Sequence, residues 1–538
     1  MNATTSKNQA TKKAARTESG PARAGSGSAR TGSTPARAGS GPARTAKVPP
    51  QAAAKAAELP ARTSRRYQLD TDVRQMSPDE RAARGRAIRT EVPRRSHADF
   101  EPAADRPIPV DLLKQQSAGR LLDLVPIRYG RMLASPFSYY RGAALPMAWD
   151  LSTTPVTGLA VQSCGDAHLS NFGVFGSAER RLVFDINDFD ETLPGPWEWD
   201  VKRLAASLEI AGRENGFTKR QRTRIVQATA ERYRMAMHMF AGQSNLDVWY
   251  ASANIEDLRT QFNNRLTTRQ RHKMDKGISK ARTRDSMQAL DKLTRVVDGQ
   301  PKIVADPPLV IPLSSLLPDD ADRSGVEAQL IHLIDRYKRT LSGDRRYLLD
   351  QYEYELADIA RKVVGVGSVG TRCWITLMLG RDGSDPLFLQ MKEAGTSVLS
   401  RFVGAGKFDN QGQRVVEGQR LMQATSDIFL GWQRMQGLDG VSRDFYIRQL
   451  RDWKFSMDTE TMPPNGMSDY GEVCGWTLAR AHARSGDRIA ISAYLGNSRA
   501  FDQAIAEFAA VYADQNERDY ADLDEAAKSG RILAQRGL

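Results

Sequence analysis

The sequence predicts an α+β protein in which helices come first, a β-rich block follows, and helices return at the C-terminus. Three observations predict it. Apolar residues recur with helical spacing from Leu112 to Met132 and again at Val201, Leu204, Ala205 and Leu208, which gives one buried helix face. Between Val363 and Met391 the pattern changes to strand-forming runs, with Asp382-Gly383 as the turn between two of them. Beyond Glu472 the helical period resumes, and Ile505, Phe508, Ala509 and Tyr512 form one apolar stripe.

The first 66 residues are set apart by composition. They are rich in Ala, Gly, Ser, Thr, Arg and Pro, and Gly20-Pro21-Ala22-Arg23 is echoed at Gly41-Pro42-Ala43-Arg44. So little apolar surface cannot offset the entropy of ordering, and the segment is read as a disordered tail. It holds thirteen Lys or Arg against two acidic residues, a net of +11, which leaves +2 of the chain's +13 for everything after it. Nucleic-acid contact by unspecific charge is therefore an expectation for residues 1–66 alone.

Order is expected from about Tyr67. A helical region spans 67–345, a β-rich region 346–455, and C-terminal helices 456–538 complete the first region. The basic, helix-prone stretch from Arg259 to Lys280 reads as a solvated helix face. Within the β-rich region Leu387, Leu389 and Met391 alternate with Phe388, Gln390 and Lys392, so Lys392 points away from that apolar triplet. Cys164, Cys373 and Cys474 stand far apart, without metal-ligand spacing, as suits a reducing compartment. No apolar run approaches the roughly 20 residues of a membrane span, and the N-terminus lacks an apolar signal core. A cytoplasmic protein without membrane contact is expected.

The chemistry concentrates in Cys164-Gly165-Asp166-Ala167-His168-Leu169-Ser170-Asn171. Phosphoryl transfer asks a protein for a carboxylate to accept the proton of an attacking hydroxyl, ligands for Mg²⁺, and a cation on the phosphates. Asp166 and Asn171 have the spacing that puts a carboxylate and an amide ligand on one loop. Two short strand candidates, Phe172–Phe175 and Leu182–Ile186, lead to Asp188-Phe189-Asp190, then to Gly195-Pro196 and Asp200.

This run resembles the aminoglycoside-phosphotransferase and choline-kinase branch of the protein-kinase-like superfamily, with Cys164 in place of that pattern's first histidine. The resemblance implies a two-lobed fold that uses ATP and Mg²⁺. It makes Asp166 the catalytic base, Asn171 and Asp188 the metal ligands with Asp185 as a rival, and His168, Asp190 and Asp200 supporting residues. No glycine-rich turn followed by a lysine strand occurs in 67–164. Those parts come later, at Gly365, Gly367, Ser368 and Gly370, at Lys392, and at Glu417 as its helix partner. The order implies a circular permutation.

From Tyr67 onward the chain also resembles a bacterial family known as domain of unknown function 2252. The matching segments are Arg128–Met132, Ser135–Gly142 and Leu478–Asp487. Arg128, Arg131 and Arg141 are candidate phosphate or substrate contacts, since guanidinium groups engage such oxygens in pairs. His482 shares a helix face with Cys474, Leu478 and Ala481 and reads as a core residue. The expected activity is transfer of the γ-phosphate of Mg·ATP to a hydroxyl of an acceptor the sequence does not specify. A nucleotide-binding pseudokinase, an AMP-transferring relative and a nucleic-acid-associated protein are the alternatives.

Overall fold

Helix punctuation in the first part of the chain follows the sequence closely. Ser77 and Glu80 form a capping box at helix Pro78–Glu91, and Thr218 and Gln221 form another at Lys219–Ala241. The region expected as helical from Leu112 to Met132 is two helices, Pro109–Ser117 and Val125–Met132. Gly119 lies in the break, and Pro126 opens the second helix at its first turn. A computed structural model describes residues 66–538 apart from 70–71, 263, 266–267, 318–319, 353–354, 438–439 and 451–452. All of the expected basic tail except Arg66 lies outside the described residues.

Short strands frame the loop of interest. Strand β1 (Ala160–Ser163) leads into it, and β2 (Phe172–Gly176) and β3 (Leu182–Ile186) follow as a hairpin. Strand β4 (Leu193–Pro196) returns to pair antiparallel with β1, and β5 (Ala253–Asn254) pairs with β3. Helix Trp197–Glu214 starts directly after β4 and is buried along nearly its whole length. The basic stretch is divided among helices Ile255–Phe262, Thr268–Arg282 and Ser286–Leu293, and two of its cations pair with acids, Arg259 with Asp275 and Arg265 with Glu472.

After a small hairpin of β6 (Thr294–Val297) and β7 (Gln300–Ile303), the chain builds a six-stranded antiparallel sheet. Its strands are β8 (Val310–Pro312), β9 (Glu355–Lys362), β10 (Cys373–Leu379), β11 (Pro386–Ala394), β12 (Gly431–Gln436) and β13 (Ser442–Gln449). Their spatial order is β12-β13-β11-β10-β9-β8, and helix Gln411–Met422 lies in the chain between β11 and β12. The sheet thus begins at Val310, earlier than residue 346. Strand β9 precedes the strand-forming runs expected from Val363, and its Ala, Leu, Arg and Lys residues favour a helix. Pairing with β8 on one side and β10 on the other overrides that local preference.

Alternation along β11 then works as its sequence suggests. Leu387, Leu389 and Met391 join Tyr337, Ile359, Phe445 and Ile447 in one apolar cluster, while Phe388 joins Ile375 and Leu377 in another. The C-terminal helices Pro464–Ser485 and Ala500–Lys528 pack back onto helices Trp197–Glu214 and Lys219–Ala241, in the largest apolar core. The fold is α+β. No helix among the described residues is long and apolar enough to cross a membrane, and all three cysteines are free and buried.

A buried charge cluster ties the start of this body to its end. Arg106 donates to both oxygens of Asp150, at 2.6 and 2.8 Å, and to both of Asp519, at 2.9 and 2.6 Å. Removing one partner of a buried pair leaves uncompensated charge in a medium that solvates it poorly. Arg106→Leu is therefore expected to lower the unfolding free energy by roughly 3–5 kcal/mol, read from urea denaturation. A loss below about 1 kcal/mol, the range of exposed pairs, would show that the cluster carries no such weight.

Candidate active site

The loop Gly165–Asn171 is held from behind by one carboxylate. Asp200, in the first turn of helix Trp197–Glu214, accepts from the backbone N–H of Cys164 at 2.8 Å and of Gly165 at 3.0 Å. A carboxylate only accepts, so His482 Nε2, 3.2 Å away, donates to Asp200. On its other side the ring meets the Tyr233 hydroxyl at Nδ1, 2.9 Å away. His482 is a buried core residue, as expected, and it also anchors the anchor. Gly165 has φ +79°, and a Cβ there would sit 2.5 Å from the Glu191 carbonyl oxygen, so the turn requires glycine.

Within the loop the polar atoms divide their work. Asn171 donates its Nδ2 to the Asp166 carbonyl at 2.8 Å, which leaves Oδ1 as the atom available to a cation. Asp166 Oδ1 accepts from Arg203 Nε at 2.5 Å, and Arg203 lies on the Tyr140 ring and donates to the Tyr140 carbonyl. Burial pushes the Asp166 carboxyl up to about 7, against the pull of Arg203, and Asp188 and Glu191 push it the same way. His168 Nε2 is 3.8 Å from Asp166 Oδ2. Burial, with Arg203 and Arg141 nearby, holds its ring well below the usual histidine range and hence neutral.

The three carboxylates in β3 and just after it part company. Asp188 lines a cavity of about 370 Å³ together with Asp166, His168 and Asn171. Asp190 is committed: Oδ2 accepts from Lys392 Nζ at 3.0 Å and Ser368 Oγ at 3.1 Å, and Oδ1 accepts from Tyr446 at 2.7 Å. Burial opposes its ionisation, yet Lys392 and Tyr446 pull the Asp190 carboxyl down to about 2. Asp185 is fully enclosed, accepting from Arg480 at 2.6 Å and from the backbone N–H of Ala424 and Ile186 at 2.9 Å each. The rival metal-ligand reading of Asp185 is corrected on that ground, since its lone pairs are used and it does not line the cavity.

The glycine segment is the connection between β9 and β10. Gly365, Gly367 and Ser368 line the same cavity, as does Lys392. Gly370, at φ +89°, turns the chain against Arg120 and stays outside the cavity lining. Glu417 is also corrected: its carboxylate pairs with Arg420 at 3.4 Å, and the partner of Lys392 is Asp190. Helix Gln411–Met422 grips the site through Arg414 instead, which donates to the carbonyls of Asp190, Thr192 and Gly395.

A family model described as "Uncharacterized protein conserved in bacteria (DUF2252)" matches residues 120–526. The chain belongs to this family. No curated protein and no solved structure matches it. The range matched to DUF2252 contains every residue placed at the cavity above.

Of the three arginines proposed as phosphate or substrate contacts, only Arg141 lines the cavity. Its buried Nε makes no hydrogen bond. Arg128 is enclosed and donates to Ser117, Gln116 and the Gly142 carbonyl, all at 2.9 Å. Arg131 donates to the carbonyls of Val364 and Leu538. Both are structural clamps. Sequence reasoning missed Arg203, Arg448 and Lys454. Arg203 was within reach of it, because a residue three positions after Asp200 shares that residue's helix face. Arg448 and Lys454 line the cavity from β13 and the segment after it. Burial, with Arg448 and Lys392 close by, pushes the Lys454 ammonium down to about 7.

The division between Asp185 and Asp188 has a direct check by chemical denaturation. Asp185→Ala leaves Arg480 buried and unpaired and is expected to cost roughly 3–5 kcal/mol. Asp188→Ala is expected to change stability by less than about 1 kcal/mol. Equal losses would contradict the separation of structural from cavity-facing carboxylates.

Proposed function

We propose that the protein transfers the γ-phosphate of Mg·ATP to a hydroxyl group, using a protein-kinase-like arrangement in circularly permuted order. The observation that carries this reading is the Lys392–Asp190 ion pair of 3.0 Å, which joins the lysine strand to the carboxylate segment across 202 residues of sequence. Strand order supports it. Five strands run β9-β10-β11-β13-β12 with the glycine segment between the first two, the lysine on the third and a helix after it. A kinase-like nucleotide lobe requires the loop, the lysine and the helix in that order. The C-terminal helices pack back on the catalytic-loop half, which makes the sheet an insertion in that half and fits a permuted connection.

In this reading Asp166 takes the proton from the attacking hydroxyl, and Arg203 fixes which carboxylate oxygen is free to do so. Asn171 Oδ1 and Asp188 would hold Mg²⁺. Among the described residues no group of three or more His, Cys, Asp or Glu forms a metal cluster. A magnesium ion that also binds phosphates needs only one or two protein carboxylates, so the pair fits it. When bound there, it would supply positive charge against the transferring phosphate. Lys392 and the Gly365–Ser368 backbone face the same space and are assigned to the phosphates.

A second chamber of about 200 Å³ shares Arg141, Asp166, Asp188, Gly367 and Ser368 with the first. Gly142, Ala144, Thr396 and Val398 also line it. It is assigned to the acceptor, and its size points to a small molecule. The assay uses γ-labelled and α-labelled ATP with a mixture of small hydroxylated metabolites. Label is expected to move from the γ position. Asp166→Asn is expected to lower turnover at least about 100-fold, the lower range for a general base, with nucleotide affinity nearly unchanged. Transfer from the α position alone would overturn the assignment.

A further inference from the structure

The wall of the cavity opposite the catalytic loop carries two basic side chains, Arg448 and Lys454, that make no ion pair among the described residues. In the register of β11 with β13, Gln390 lies opposite Arg448 and Lys392 opposite Tyr446. Residues directly paired across two strands, and residues two apart along one strand, share a face. Gln390, Lys392, Tyr446 and Arg448 therefore project together, and Gln390, Lys392 and Arg448 all line the cavity. Lys392 has its carboxylate in Asp190. Among the described residues Arg448 has none within 4.0 Å; its hydrogen bonds are two long ones, Nε to Gln390 Oε1 and a terminal nitrogen to the Asn187 carbonyl, both at 3.4 Å, and its guanidinium lies 5.8 Å from the Tyr446 ring centroid.

Lys454 enters the same space from the segment after β13. Among the described residues its ammonium has neither a hydrogen bond nor an ion pair. Asp188 and Asp427 are the carboxylates whose charge reaches both cations without contacting either; Asp427 Oδ1 accepts from the Phe429 N–H and Oδ2 from the Gln449 N–H, each at 2.7 Å. Two half-buried cations so placed are costly unless an anion completes them.

We propose that Arg448 and Lys454 form a polyphosphate subsite, additional to Lys392, that holds the β- and γ-phosphates of the bound nucleotide. The identity of the ligand rests on the phosphotransfer reading; the demand for a multiply charged phosphate anion rests on the cations alone. Arg448 presents a planar fork to phosphate oxygens and Lys454 a point charge, and such charge-assisted bonds are stronger than neutral ones. The subsite favours ATP over AMP, because AMP lacks the two phosphates that reach it.

The test is calorimetric titration of the full-length protein with ATP, AMP and inorganic tripolyphosphate. Wild type, Arg448→Met, Lys454→Met and Arg448→Lys are compared, each checked by thermal melting for an unchanged fold. Wild type is expected to bind ATP and tripolyphosphate well and AMP weakly. Each Met variant is expected to lose roughly tenfold in affinity for ATP and tripolyphosphate, about one charged hydrogen bond, with AMP affinity unmoved. Arg448→Lys keeps the charge and is expected to fall between. Met variants that bind tripolyphosphate as wild type does, or a wild type that does not bind it, overturn the subsite. If tripolyphosphate binding depends on both cations while ATP is no better a ligand than AMP, the subsite stands and the nucleotide reading falls.

Discussion

One carboxylate fixes where the two halves of the site stand relative to each other. Asp190 accepts from Lys392 on β11, from Tyr446 on β13 and from Ser368 in the glycine segment. Three parts of the sheet region thus converge on one residue of the half that holds the loop Gly165–Asn171. The lysine is almost completely buried, so its charge has no solvent to fall back on, and separating the pair would strand both ions. Arg414 grips the same segment through the carbonyls of Asp190 and Thr192. Asp188 lies two residues before Asp190, accepts from the Asp190 N–H through Oδ1 at 3.2 Å, and lines the cavity.

The same logic sorts the other charged groups. A carboxylate whose oxygens are already used is a fastener, and one with lone pairs facing a cavity is a candidate for chemistry. Asp185 and Asp200 belong to the first kind, Asp166 and Asp188 to the second. The glycine segment shows the rule for backbone. Arg120 and Arg131 donate to the carbonyls of Gly367, Val369 and Val364, and Val366 packs with Tyr129, Met132 and Leu523. A loop tied by its carbonyls on one side keeps its Gly365–Ser368 face toward the cavity on the other.

Sequence spacing located the loop and Asp188 because everything from Gly165 to Asp200 is local, and the turns, strands and helix start follow one another without long gaps. Lys392 was legible for a similar reason, as period-two alternation fixes the face of a strand residue. Strand β9 was not, because Leu356 to Lys362 is made of residues that favour helices and its pairing partners lie elsewhere in the chain. Glu417 and Asp190 illustrate the deeper limit. Both are acids near the right position, and only the approach of helix Gln411–Met422 to the β3–β4 connection decides which one meets the lysine. Arg128, Arg131 and Arg141 lie within fourteen residues of one another, yet only the third faces the cavity, because helices Val125–Met132 and Pro136–Gly142 present different faces to it.

The loop Gly165–Asn171 also depends on parts of the chain made long after it. Asp200, which holds the Cys164 and Gly165 backbone, is itself met by His482, and Tyr470 donates to the carbonyls of Leu169 and Phe172. Both residues lie on helix Pro464–Ser485, beyond the entire six-stranded sheet. Contacts so distant in sequence carry a large closure entropy and form late unless something local brings their partners together. The sheet does this if it folds first, with helix Gln411–Met422 in the one long connection between β9 and β13, since it delivers the chain near Phe455, which pairs with Val174 of β2. The helix that follows then needs only to pack along Lys219–Ala241 to bring Tyr470 and His482 to the loop. In this order the lysine strand and the loop's supports arrive by one docking event, so a chain that holds the loop in place also has the cavity assembled in front of it.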